Sequence, residues 1–347
     1  MLKLLTIAFA FIMMTSSVRA DYTLIVPQKP SGGTSVWSQI VVAEWEKHLG
    51  EKINLKYLPG SRDQAGPNKF QEELRFDDKT ILVSHGGNGI LEPVIYNYFD
   101  WESVGHMNLN IIVGAGVDVN TNTKEIAFSA GSGMTPEIMA IVQLLAGPDN
   151  DPNEVFKNQI VWVKGMSGGE RRLAFMRGDL NATRENPAAY KKHVLPLIEQ
   201  GKAYTWFHHG ILNMETGNHE NDPNFTEPTF EQLYLETWGV EPSGDFYDAY
   251  KLVKSWRDSI QKAFWVNTDN PNKQALVDAL VKMSNDPESI AAIEKKVGKY
   301  DWRIGAEGDK TVEILKSLIT PGALKTLSDF GKNQLGYNAV YKEELTK

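Results

Sequence analysis

The chain of 347 residues carries 36 Lys and Arg against 44 Asp and Glu, a formal net charge of −8. An acidic balance without a basic cluster argues against nucleic acid and anionic membrane surfaces as partners, though a small anion needs only a local positive site. The absence of cysteine excludes disulfide frameworks, thiolate metal sites and cysteine catalysis, and the length suits about two domains built on an apolar core.

The chain opens with Lys3, an apolar run over residues 4–14, and the small-x-small triplet Val18-Arg19-Ala20. This pattern predicts a secretory signal peptide over residues 1–20, with cleavage before Asp21; the run is too short for a membrane anchor. Removing it takes away Lys3 and Arg19 and no acid, moving the formal charge from −8 to −10. Residues 22–26 read as a strand, Pro30-Ser31-Gly32-Gly33-Thr34 as a turn, and 36–49 as a helix stopped by Gly50. Strands are expected at 53–58 and 80–84, with a short helix at 70–74; the third strand runs into His85-Gly86-Gly87-Asn88-Gly89. Further strands are expected at 111–113, 126–129 and 160–163, and helices at 136–145 and 170–176. Residues 210–230 read as an exposed loop, and the chain from Ala249 onward as mostly helical. Strands alternating with helices indicate α/β domains with parallel sheets, whose ligands sit beyond the carboxyl ends of the strands.

Two glycine turns share one construction: Ser31-Gly32-Gly33-Thr34-Ser35 and Ser129-Ala130-Gly131-Ser132-Gly133-Met134-Thr135, each leading into a helix. Unpaired N–H groups and the positive dipole end at a helix start bind anions without a charged side chain, although each turn also reads as an ordinary cap.

These turns carry a resemblance. Val26-Pro27-Gln28-Lys29-Pro30-Ser31-Gly32-Gly33-Thr34-Ser35 is similar to the V-P-F-x-x-G-G-G-T-D opening of the periplasmic receptors of tripartite tricarboxylate transporters. The family's R-P-G-A-G-G turn is echoed by Leu58-Pro59-Gly60-Ser61 with Ala65-Gly66, and its Y-A-S-x-G-x-G-S loop by the segment from Phe128 to Thr135. Gly178-Asp179-Leu180-Asn181-Ala182 and Ile198-Glu199-Gln200-Gly201-Lys202 resemble its G-x-V-D-A and I-x-x-G-K segments. The succession runs in order over most of residues 22–330.

The resemblance implies a two-lobed α/β periplasmic binding protein that closes like a flytrap on a ligand in a central cleft. Lobe one would hold residues 21–112 and 262–347, and lobe two residues 113–261. A small carboxylate would be held by Ser31, Gly32, Gly33, Thr34 and Ser35 on one wall and by Gly131, Ser132, Gly133 and Thr135 on the other. The expected partners are a large and a small membrane permease subunit; the receptor itself is expected to be a monomer without metal or cofactor. Two family acids are missing, replaced by Ser35 and Asn181, which favours an anionic ligand over one carrying an amine. Arg184 reads either as a bidentate clamp for a second carboxylate or as a solvated arginine. His85 and Asn88 are candidates at a strand end, with turn capping as the other reading; Trp37 reads as a stacking ring or as core.

Two other functions fit parts of the sequence. An exported sensor that signals to a membrane kinase would use the same cleft. Gly165-Met166-Ser167-Gly168-Gly169 matches the G-x-S-x-G elbow of serine hydrolases. Those enzymes place their histidine near the chain end, and no histidine follows His219, so Ser167 is read as a turn residue.

Overall fold

The computed structural model describes residues 21–60, 63–84, 100–130 and 135–336. The expected leader at 1–20, the turn carrying His85 and Asn88, and Gly131, Ser132 and Gly133 lie outside the described residues.

The chain begins with β1 (Tyr22–Val26), an apolar run with four of its five residues buried. Helix α1 (Gly33–Leu49) starts three residues before the expected Val36 and stops at Gly50, whose left-handed φ of 72° lets its N–H close on the Glu46 carbonyl. There follow β2 (Ile53–Tyr57), α2 (Ala65–Glu72), a 3-10 turn at Leu74–Phe76 and β3 (Thr80–Ser84). Next come β4 (Trp101–Asn108), β5 (Ile112–Gly116), β6 (Ile126–Ala130), α3 (Pro136–Ala146), α4 (Pro152–Gln159) and β7 (Ile160–Lys164). The middle of the chain forms α5 (Gly168–Arg177), β8 (Ala182–Glu185), α6 (Pro187–His193), α7 (Leu195–Glu199) and β9 (Ala203–His208). The stretch expected to be loop, 210–230, contains a small hairpin of β10 (Ile211–Leu212) and β11 (His219–Glu220); α8 (Phe230–Trp238) and α9 (Asp245–Ser259) follow it. The C-terminal part comprises β12 (Gln261–Asn267), α10 (Lys273–Asn285), α11 (Pro287–Val297), β13 (Asp301–Ile304), α12 (Ala306–Ser317) and α13 (Pro321–Asn333).

Six strands form one sheet in the order β13-β4-β12-β3-β1-β2. Only its β2, β1 and β3 portion is parallel; β12 runs antiparallel to both β3 and β4, and β13 antiparallel to β4. A second sheet, β8-β5-β9, is wholly antiparallel, while β6 and β7 pair in parallel. The expectation of parallel sheets is therefore corrected to mixed ones. The reason is β12: the chain returns from the middle of the molecule and inserts between β3 and β4, which a run read as helical could not reveal.

Both faces of the large sheet are covered. On one, Trp37, Val41 and Trp45 of α1 pack with Phe264 and with Leu276 and Leu280 of α10. Trp37 and Trp45 ring centroids lie 5.2 and 4.8 Å from that of Phe264. Trp37 is only 1% exposed, so the stacking role considered for it is corrected to a core role. On the other face, Ile25, Leu82 and Trp265 join a cluster that continues through α9 and α13 into α3. Helix α9 is the shared beam: it packs on α13, α3, α12 and β4. Among the described residues no helix is long and apolar enough to cross a membrane.

Candidate functional site

Strand register locates the first candidate wall. Ile25 lies opposite Leu82, and Ser84 opposite Ala263, so the carboxyl ends of β1 and β3 meet the amino end of β12 at one end of the sheet's central strands. Helix α1 starts at that end, capped by Gly32 without a side-chain cap of its own and with no acid in its first turn. The capping comes instead from Gln28, which folds back along the loop. Its Oε1 accepts the Thr34 N–H at 2.9 Å, and its Nε2 donates to Asp63 Oδ2 at 2.7 Å. A Cβ on Gly32 would stand 2.6 Å from that Oε1, so this return depends on the glycine.

The structure thus brings Ser31, Gly32, Gly33, Thr34 and Ser35 together but corrects how two of them act. Thr34 and Ser35 are buried, and their hydroxyls serve the protein: Ser35 Oγ donates to the Gln28 carbonyl at 3.3 Å, and Thr34 Oγ1 accepts from Lys262 Nζ at 2.8 Å. Ser31 and Gly33 remain exposed, and the Gly33 N–H makes no hydrogen bond within the described residues. Lys262 was hidden from sequence reading, because it sits where helix was expected. Burial pushes its ammonium down to about 8, against the opposing pull of Asp63. Both Lys262 and Asp63 hold left-handed backbone, at φ 53° and 68°.

The second candidate wall lies at the start of α3. Thr135 is buried as the N-cap, without a side-chain cap bond, and Pro136 opens the helix. Glu137, fully buried, receives both terminal nitrogens of Arg257, one of them at 2.9 Å, and has Arg184 Nε 3.7 Å from Oε1. Burial opposes its charge, yet Arg257 and Arg184 hold the carboxyl well below the usual carboxylate range. From Arg257 the network continues to Asp258 at 3.1 Å, and Asp258 meets His209 Nδ1 at 2.5 Å. On the other side, α5 contributes Arg171, whose Nη2 donates to the Arg184 carbonyl at 3.0 Å, and Arg172, which bonds Glu185 at 2.8 Å. Arg171 is pushed down to about 10, first by burial and then by its neighbour Arg184. Four arginines thus share three carboxylates.

Arg184 is therefore an ion-paired arginine beside Glu137 and not a solvated one. Asn181 is a correction. Its Oδ1 accepts from the Ala127 N–H at 2.8 Å and its Nδ2 donates to the Glu125 carbonyl at 2.9 Å. Both bonds lie at the amino end of β6, whereas the glycine loop leaves its carboxyl end. Ser167 is the N-cap of α5 in a reciprocal capping box with Glu170, at 2.7 and 3.4 Å. Its hydroxyl accepts from the Glu170 N–H. Of the residues that sequence reading missed, Glu137 alone left a trace, as an acid in the first turn of an apolar helix.

No family model and no curated protein matches the chain. Solved structures do. The TctC solute binding protein from Polaromonas matches with a TM-score of 0.57 at 14% identity, over 87% of this chain and 98% of that one. Rpa4515 of R. palustris with adipate gives 0.56 at 13%, covering 89% and 97%. MatC from Rhodopseudomonas palustris with bound malate gives 0.50 at 14%, also covering 89% and 97%. The chain therefore has the two-lobed α/β fold that these solved structures share.

Proposed function

We propose that the protein is an exported receptor that captures a small carboxylate in the periplasm and delivers it to the large and small permease subunits of a tripartite tricarboxylate-type transporter. The observation that carries the reading is the surplus of guanidinium over carboxylate beside the start of α3, in a chain whose formal charge is −8. Desolvated charge of one sign is costly unless countered, and a guanidinium fork matches a carboxylate in geometry as well as charge. Arg184 retains about a quarter of its side-chain exposure, so its fork is within reach of an incoming anion. The fold supports the reading, because two structures sharing it hold malate and adipate.

The test is a melting-shift panel of mono-, di- and tricarboxylates and aromatic acids, followed by calorimetry. At least one carboxylate raises the midpoint, and Arg184→Ala weakens that binding by about tenfold or more, the scale of one lost charged hydrogen-bond pair. A panel that leaves the midpoint unmoved overturns the reading. Export is checked separately: mass spectrometry of periplasmic protein finds a mature chain starting at Asp21. Loss of carboxylate uptake on deletion distinguishes transport from sensing.

A further inference from the structure

Helix N-termini favour anions, and cations belong at the opposite end. Lys262 departs from this rule. Its Nζ sits 2.8 Å from the hydroxyl of Thr34, inside the first turn of α1, where no acid stands. An ammonium has three donors, and Thr34 accepts one. The carboxylate acting on it is Asp63, which already accepts from Gln28. The backbone holds the lysine there in an unfavourable conformation: φ is 53°, at the point where β12 loses register with β4 between Gln261 and Phe264. Such a φ suits glycine, and strained residues of this kind gather at ligand clamps. A purely structural role would be better filled by glycine for the backbone and by a neutral or acidic side chain for the helix end.

We propose that Lys262 is a ligand-contacting, specificity-determining residue: together with the Gly33 N–H at the start of α1 it takes a carboxylate group of the captured molecule, the counter-ion that the first turn of this helix lacks. This rests on the receptor reading above and adds to it a side chain that decides what enters lobe one. A ligand without an anionic group at that end leaves a half-buried ammonium facing a helix dipole of the same sign. The burial that pushes the ammonium down to about 8 fits a charge awaiting its partner.

The experiment titrates malate, adipate and benzoate into the wild-type protein and into Lys262→Gly, Lys262→Met and Lys262→Arg, with melting midpoints recorded for each. Lys262→Gly melts at or above the wild-type midpoint, because glycine accepts the left-handed φ, yet loses about 30-fold or more in affinity, as expected for a desolvated ion pair. Lys262→Arg stays within about fivefold, since the charge is kept. The pH profile supplies a readout that a structural role would not move. Among the described residues the charged group facing Lys262 is Asp63, and Thr34 and Gln28 contribute neutral groups. An anion raises the lysine pKa, so binding takes up a proton above pH 8, and wild-type affinity falls by up to about tenfold per pH unit there. Lys262→Arg shows no such fall. Unchanged binding in Lys262→Gly and Lys262→Met, or a flat wild-type profile, overturns the assignment alone. Any carboxylate that the wider panel identifies joins these probes, and a wild-type protein that no carboxylate of that panel stabilises overturns both the assignment and the receptor reading.

Discussion

The two helix starts handle buried charge in opposite ways. At the start of α3, every cation has at least one buried carboxylate within reach, and the groups are locked by mutual bonds among α3, α5, β8 and α9. At the start of α1, a single lysine meets a hydroxyl, and the loop is closed by the neutral amide of Gln28. A paired network is expensive to break, because removing one partner strands the others in low dielectric. An underpaired cation is cheap to remove for stability and costly for binding. The comparison therefore separates Glu137 and Arg257, buried and holding their network together, from Lys262 and the part-exposed Arg184, which keep charge within reach of a ligand.

Glu137 is where breaking the comparison has the largest effect. Glu137→Ala leaves Arg257 and Arg184 buried against each other and is expected to cost about 3–5 kcal/mol, read by denaturant unfolding. A loss below about 1 kcal/mol would mean that the network is not integrated into the fold. The same group sets an acid limit. Its folded pKa lies below the ordinary 4.5, so its contribution is complete above pH 4.5 and is lost as pH falls through the depressed value. Lys262 has the other sign. Its pKa is lowered from 10.5 to about 8, so the unfolded chain binds more protons between those values, and stability rises with pH across that window. Melting midpoints on the two sides of neutrality, compared with those of Glu137→Ala and Lys262→Met, check both slopes.

Smaller effects sharpen the contrast. Gln28→Ala removes the oxygen that caps Thr34 and the bond to Asp63, and is expected to cost about 1–2 kcal/mol, the upper range for a lost cap. Ser167→Ala removes one half of the α5 capping box and is expected to cost about 1 kcal/mol, leaving carboxylate affinity within a few-fold. Esterase activity that disappears with Ser167→Ala would reverse this assignment.

Much of the scaffold was legible because local rules and tertiary context agree there. Strands β1 and β3 match their expected bounds, and α3 runs from Pro136 to within a residue of its expected end. β4 was not legible. Ser103, His106 and Asn108 are buried within it, and burial pushes the His106 ring down to about 3, so its polar composition hides a strand covered on both faces. Gly105 adds to the disguise, yet a Cβ there would meet Leu280 at 2.6 Å, so the residue that weakens the strand signal is the one that admits α10. The turns of the candidate site were legible in the sequence, and its distant pairs were not. Thr34 meets Lys262 across 228 positions of sequence and Glu137 meets Arg257 across 120, and no spacing rule reaches that far.

The smallest expected effect tests whether Gly33 is kept for folding or for ligand. Its neighbour Gly32 has no room: a Cβ would press on Gln28 at 2.6 Å and on the Lys29 carbonyl at 3.1 Å. Gly33 has nothing within 4 Å of a Cβ, lies at the first position of α1, and is exposed. On folding grounds alone, Gly33→Ala should be neutral or stabilising by about 0.4–1 kcal/mol, since alanine restricts the unfolded chain and suits a helix. A glycine where alanine would fold as well needs a reason outside the fold. Close approach of a carboxylate to the Gly33 N–H supplies one, because the added carbon would stand beside the incoming oxygen. The expected outcome is a melting midpoint that holds or rises by a degree or so while carboxylate affinity falls by about three- to tenfold. Gly33→Val, with its larger branched side chain, exaggerates the loss of binding. Unchanged affinity in both variants would remove this N–H from the site and leave Lys262 as the principal ligand group on the first wall.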